Sequence, residues 1–98
     1  MYLTNFKHFL DDKTMDIPLQ MPQETRERAN FFALVIDATT QNSPPTLTET
    51  DIHCFEIGCN GKIKTALRLK NEEINWFCPD CENEGVISEW QGTKWDNR

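Results

Sequence analysis

The stretch that decides the fold is Cys54-Phe-Glu-Ile-Gly-Cys59-Asn-Gly-Lys-Ile-Lys-Thr-Ala-Leu-Arg-Leu-Lys-Asn-Glu-Glu-Ile-Asn-Trp-Phe-Cys78-Pro-Asp-Cys81. It holds two cysteine pairs, Cys-x4-Cys and Cys-x2-Cys, separated by 18 residues. Thiolates a few residues apart let one tight turn supply two ligands, and zinc takes four in a tetrahedron. The intervening residues suffice for a hairpin that returns the second pair onto the first. Cys54, Cys59, Cys78 and Cys81 are therefore the candidate ligands of one structural Zn2+, whose binding energy becomes folding energy. A tetrahedral four-sulfur site also accepts iron, the weaker expectation. Cys78-Pro-Asp-Cys81 is the stronger half, because the first loop is two residues longer than the usual pair. Asn60-Gly61, just after that loop, is expected to supply its left-handed backbone.

Two other uses of paired cysteines fit less well. Disulfides need an oxidising compartment, which nothing in the sequence suggests. A Cys-Pro-Asp-Cys redox pair opens a helix in a βαβ context. Here strand-like sequence precedes it and a turn follows. Because all four positions are taken by sulfur, the site is closed, and closed sites are structural rather than catalytic. No Ser/His/Asp set or phosphate-binding glycine loop stands beside it, so no enzyme is expected. His53 adjoins Cys54, but neighbouring residues rarely reach one metal together, and it reads as a strand-edge residue. His8 reads as solvated.

Within the decisive stretch, residues 61–70 alternate strictly, with Ile63, Thr65, Leu67 and Leu69 on one face and Lys62, Lys64, Ala66, Arg68 and Lys70 on the other. That is a strand with one buried face. Asn71-Glu72 is a hairpin turn, residues 73–77 are the returning strand, and residues 85–88 are a third. Upstream, residues 22–40 predict a helix with Glu24 at its positive end, its middle apolar nearly all round. Covering by the rest of the chain is favoured over a homodimer contact there. Tyr2, Leu3, Phe6, Phe9 and Leu10 fall at i, i+1, i+4, i+7 and i+8, the stripe of a further helix. Gln41 to Thr46 is linker chemistry.

These parts compose a single α+β domain, 1–98, with two N-terminal helices (1–46) packed on a small antiparallel zinc-ribbon sheet (47–98). From Cys54 to Trp95 the chain resembles a zinc ribbon. More narrowly, Trp76-Phe-Cys-Pro-Asp-Cys81 and Gly85-Val-Ile-Ser-Glu-Trp-Gln-Gly-Thr-Lys-Trp-Asp96 resemble the end of a group of small uncharacterised bacterial proteins. That resemblance implies metal ligation by the four cysteines and no activity.

Composition narrows the partners. The 98 residues carry a net charge of −6, with 27% charged and 38% hydrophobic residues. Nucleic-acid binders usually show a basic balance, because phosphate contacts carry much of their affinity. The basic face of Lys62, Lys64, Arg68 and Lys70 is the one feature that favours a nucleic-acid-associated regulator, and cross-strand pairing with acids is its plainer account. The preferred reading is a non-catalytic, zinc-stabilised protein-interaction module, and a thiol redox protein comes a distant third. Trp90 and Trp95 are expected to pack back on the small core rather than form a hot spot. The N-terminus lacks a basic region followed by an apolar core, and the longest apolar run, residues 31–36, is far short of the ~20 residues of a membrane span. A cytoplasmic location without membrane contact is the expectation.

Overall fold

The computed structural model describes residues 2–41, 48–56, 58–68 and 72–97. Its strands are β1 (Tyr2–Asn5), β2 (Thr48–His53), β3 (Lys62–Arg68), β4 (Glu73–Phe77) and β5 (Glu84–Ser88), with one helix, α1 (Gln23–Thr40), between β1 and β2. They form one mixed sheet in the order β1-β5-β4-β3-β2. The chain starts at one edge, crosses the sheet through α1, and returns as an antiparallel meander that ends beside β1. β1 and β5 are parallel, Tyr2 opposite Gly85 and Asn5 opposite Ser88.

This corrects the expectation of two N-terminal helices on an antiparallel sheet. The apolar stripe of residues 2–10 is split between β1 and a single 3-10 turn, Phe6–Phe9. Asn5 remains extended (φ −94°, ψ 107°) and its side chain accepts the amide of Lys7, capping the turn. Phe6 and Leu10 enter the core, whereas Leu3 is 80% exposed, so the stripe is no continuous buried face. So short a helix is marginal on its own. The edge of β5 offers the same backbone groups a ladder of hydrogen bonds, and tertiary pairing prevails over spacing.

The remaining elements follow their patterns. In β3, Ile63, Thr65 and Leu67 are buried and Lys62 and Arg68 exposed. β4 pairs with it from Lys64–Phe77 to Arg68–Glu73. The expected linker at 42–46 and the positions Leu69, Lys70 and Asn71 lie outside the described residues. α1 lies against β2, β3, β4 and the 3-10 turn, burying Ala29, Phe31, Phe32, Ala33, Val35 and Ile36. The sheet and the N-terminal turn thus cover most of the helix, and Leu34 is left 54% exposed. Trp90 is fully buried and its Nε1 donates to the Glu72 carbonyl at 2.9 Å. Trp95 packs edge-on against Phe6, with ring centroids 5.3 Å apart. The tail then fastens to the end of α1, where Asn97 Nδ2 donates to the Asp37 carboxylate at 2.8 Å.

Candidate metal centre

The meander sets the site. Because β2 to β5 alternate in direction, the end of β2, the start of β3, the end of β4 and the start of β5 share one end of the sheet. Cys54 follows β2, Cys59 precedes β3, and Cys78 and Cys81 lie between β4 and β5. The four Sγ atoms all lie within 4.8 Å of one another. Cys54 and Cys81 Sγ are 3.5 Å apart, as are Cys59 and Cys78 Sγ. A disulfide requires about 2.05 Å, and all four cysteines are free. A tetrahedron with metal–sulfur bonds of ~2.3 Å has edges of about 3.8 Å. The quartet brackets that edge, so the donor set is arranged to bind a metal ion.

Backbone turns hold the thiols in place. The Cys54 amide donates to the Gly61 carbonyl at 2.9 Å, and the Cys59 amide to that of Glu56 at 3.0 Å. In the second turn the Cys78 amide donates to Asn83 O (2.7 Å) and the Glu82 amide to Cys78 O (2.9 Å). Asn83 Nδ2 reaches Glu56 Oε2 at 3.1 Å and ties one turn to the other. Asn83 reads from the sequence as a turn residue, but its bond to Glu56 does not, since a polar residue in a turn carries no sign of its partner.

The left-handed positions also differ from expectation. They are Gly58 (φ 84°) inside the first loop and Glu82 (φ 63°) after the second, rather than Asn60-Gly61. Gly61 is needed for space instead. A Cβ there would stand 2.8 Å from Cys78 Sγ and 2.7 Å from an Asp80 carboxylate oxygen.

Cys54 and Cys78 are buried, and Cys59 and Cys81 partly so. Burial pushes the Cys54 thiol up to about 12. At Cys78 burial acts the same way, but the backbone amides of Cys81 and Asp80, together with the Cys59 and Cys81 thiols, outweigh it and bring the thiol below its ordinary value. A bound cation reverses the cost of burial, because it favours thiolates outright.

His53 is exposed at the end of β2, opposite Lys62, and outside the quartet. His8 is also exposed. On the basic face, Lys62 pairs with Asp51 at 3.3 Å and Lys64 with Glu49 at 3.5 Å, while Arg68 stands opposite Glu73. Among the described residues no helix is long and apolar enough to cross a membrane. No protein family, curated protein or solved structure matches the chain.

Proposed function

We propose that the chain is a non-catalytic protein stabilised by one structural zinc, and that it works by binding another protein. The observation that carries the metal reading is the sulfur quartet, four cysteines from two turns within 4.8 Å. An all-sulfur, four-donor set suits zinc or iron, and it leaves no position for a reacting water. When bound, the ion supplies a cross-link between β2–β3 and β4–β5. The chain's own residues hold the thiols at that spacing and keep Cys54 and Cys78 away from water.

The interaction role is the reading that suits an acidic chain with a closed centre. A nucleic-acid role is disfavoured by the acids standing against Lys62 and Lys64, since each such pair cancels a charge that phosphate would need. A thiol redox role fits poorly with four cysteines gathered at one point rather than an isolated pair.

Metal analysis by native mass spectrometry, with melting before and after chelation, tests the proposal. One zinc per chain and a melting temperature that falls on chelation are expected. A chain that holds no metal and melts unchanged overturns it.

A further inference from the structure

The sulfur quartet divides differently by chain and by contact. Along the chain, Cys54 and Cys59 belong to the first turn and Cys78 and Cys81 to the second. In space, Cys54 Sγ meets Cys81 Sγ and Cys59 Sγ meets Cys78 Sγ, each at 3.5 Å, so both contacts cross from one turn to the other. Each contact also joins a buried cysteine, Cys54 or Cys78, to a partly exposed one, Cys81 or Cys59. Groups that are not ligands hold the turns together as well. A Cβ on Gly61 would stand 2.8 Å from Cys78 Sγ, so the backbone of the first turn lies against a sulfur of the second. Asn83 Nδ2 donates to Glu56 Oε2 at 3.1 Å across the same gap.

We infer that the quartet is a site of oxidation by peroxide, at which zinc is released and two disulfides, Cys54–Cys81 and Cys59–Cys78, replace it as the cross-link between the turns. The inference rests on the zinc reading above and adds a reaction of its ligands. Hydrogen peroxide is the oxidant. The thiolate is the reacting form of cysteine. The partly exposed thiolate of Cys59 or Cys81 attacks one peroxide oxygen, the O–O bond breaks, and a sulfenic acid and hydroxide form. The buried thiolate beside it, Cys78 or Cys54, then attacks the sulfenic sulfur, closing the S–S bond and expelling a second hydroxide. Each disulfide consumes one peroxide and two electrons from sulfur. Zinc has no redox chemistry of its own and departs as the hydrated divalent ion. The reaction is stoichiometric in the ligands, unlike the turnover of a redox enzyme.

Three observations select pairing across the turns. Each contact has only to close from 3.5 Å to about 2.05 Å. Pairing Cys54 with Cys78 would instead join the two buried cysteines, a pair with no open thiolate for peroxide to meet. Loop length separates the remaining choices, because a disulfide stabilises a fold more as the loop it closes lengthens. The cross-turn pairs are 27 and 19 residues apart. Cys54 and Cys59 are five apart and Cys78 and Cys81 three, and bonds within those pairs would tie neither turn to the other. The oxidised chain therefore keeps the constraint that the metal supplied.

The test treats the full zinc-loaded chain with hydrogen peroxide and follows free zinc with a colorimetric chelator. Remaining thiols are alkylated and the disulfides mapped by mass spectrometry. Glu56 lies between the first two cysteines and Asp80 between the second two, so a protease that cleaves after acidic residues leaves each cysteine on its own fragment. Zinc release is expected together with bonds from Cys54 to Cys81 and from Cys59 to Cys78. The oxidised, metal-free chain is expected to melt above the same chain reduced and chelated, and a dithiol with added zinc to restore the loaded protein. Bonds within the turns, a Cys54–Cys78 bond, sulfinic acids in place of disulfides, bonds between chains, or zinc retained in excess peroxide overturns the inference. So does an oxidised chain that melts no higher than the chelated one, since its disulfides would not replace the metal. Metal content is measured on the starting sample. Any of these failures in a chain holding one zinc defeats the oxidation site alone, whereas a chain that binds no zinc defeats the metal reading beneath it and this inference with it.

Discussion

At Gly61 and Gly85 single hydrogens are where side chains would be. A Cβ at Gly85 would lie 2.6 Å from the Trp76 indole nitrogen, since Trp76 stands opposite Gly85 in the ladder and folds across it. Gly85→Ala is therefore expected to destabilise the fold by about 1–3 kcal/mol, the usual cost of overpacking, read by denaturant titration. Gly61→Ala acts on the centre, because its methyl would press on Cys78 Sγ. Weaker zinc retention against a competing chelator is the expected result, with wild-type retention as the contrary one. The Asp16–Lys94 pair is a milder case. The 2.8 Å contact with Lys94 and the Ile17 amide hold the Asp16 carboxyl below its ordinary value. A depressed carboxyl contributes stability above its unfolded pKa, near 3.8, and loses it as pH falls through the folded value. Lys94→Ala is expected to move the Asp16 titration upward in a proton NMR pH series, and an unmoved curve would show that the pair does not form in solution.

At the level of elements, α1 is joined to the sheet by more than apolar contact. Thr39 and Thr65 Oγ1 share a buried hydrogen bond of 2.6 Å across the layer, and the Thr39 hydroxyl also reaches the Val35 carbonyl at 2.7 Å. Thr65→Val leaves that second bond in place, so a loss of about 0.5–1.5 kcal/mol is expected from thermal or denaturant melting. β3, β4, β5 and α1 were legible because their periods are self-consistent: strict alternation in 62–68, a turn on either side of 73–77, and a helical run opening at Pro22. β1 and β2 were not. Thr48-Glu-Thr-Asp-Ile-His53 carries a single large apolar residue, and Tyr2-Leu-Thr-Asn5 belongs to a stripe that also fits a helix. Both are end strands: β1 pairs with β5, more than 80 residues on, which no local pattern records, and β2 pairs with β3 but has no alternating apolar face of its own to announce it.

For the whole molecule, a metal held by the four cysteines would tie together strands that a chain of 98 residues otherwise holds with a small core. Cys54→Ser or Cys78→Ser is expected to abolish stable zinc binding and to lower the melting temperature to that of the chelated wild type. A variant that melts as the loaded protein does would remove the cross-link from the account of stability. Zinc should also leave on acidification, since protons compete for the thiolates. The cysteine spacing by itself determined that two turns would meet around one point, because two close pairs joined by a hairpin-length stretch have few other ways to satisfy four thiols. Alternation in β3 likewise determined which face of that strand is buried. Only the tertiary structure decided that residues 2–5 are a strand parallel to β5, that Asp51 and Glu49 face the lysines, and that Cys54 meets Cys81 and Cys59 meets Cys78 across the two turns. Each of those outcomes depends on how one element packs or pairs with another, and a local period describes one element's faces without saying which other element will meet them.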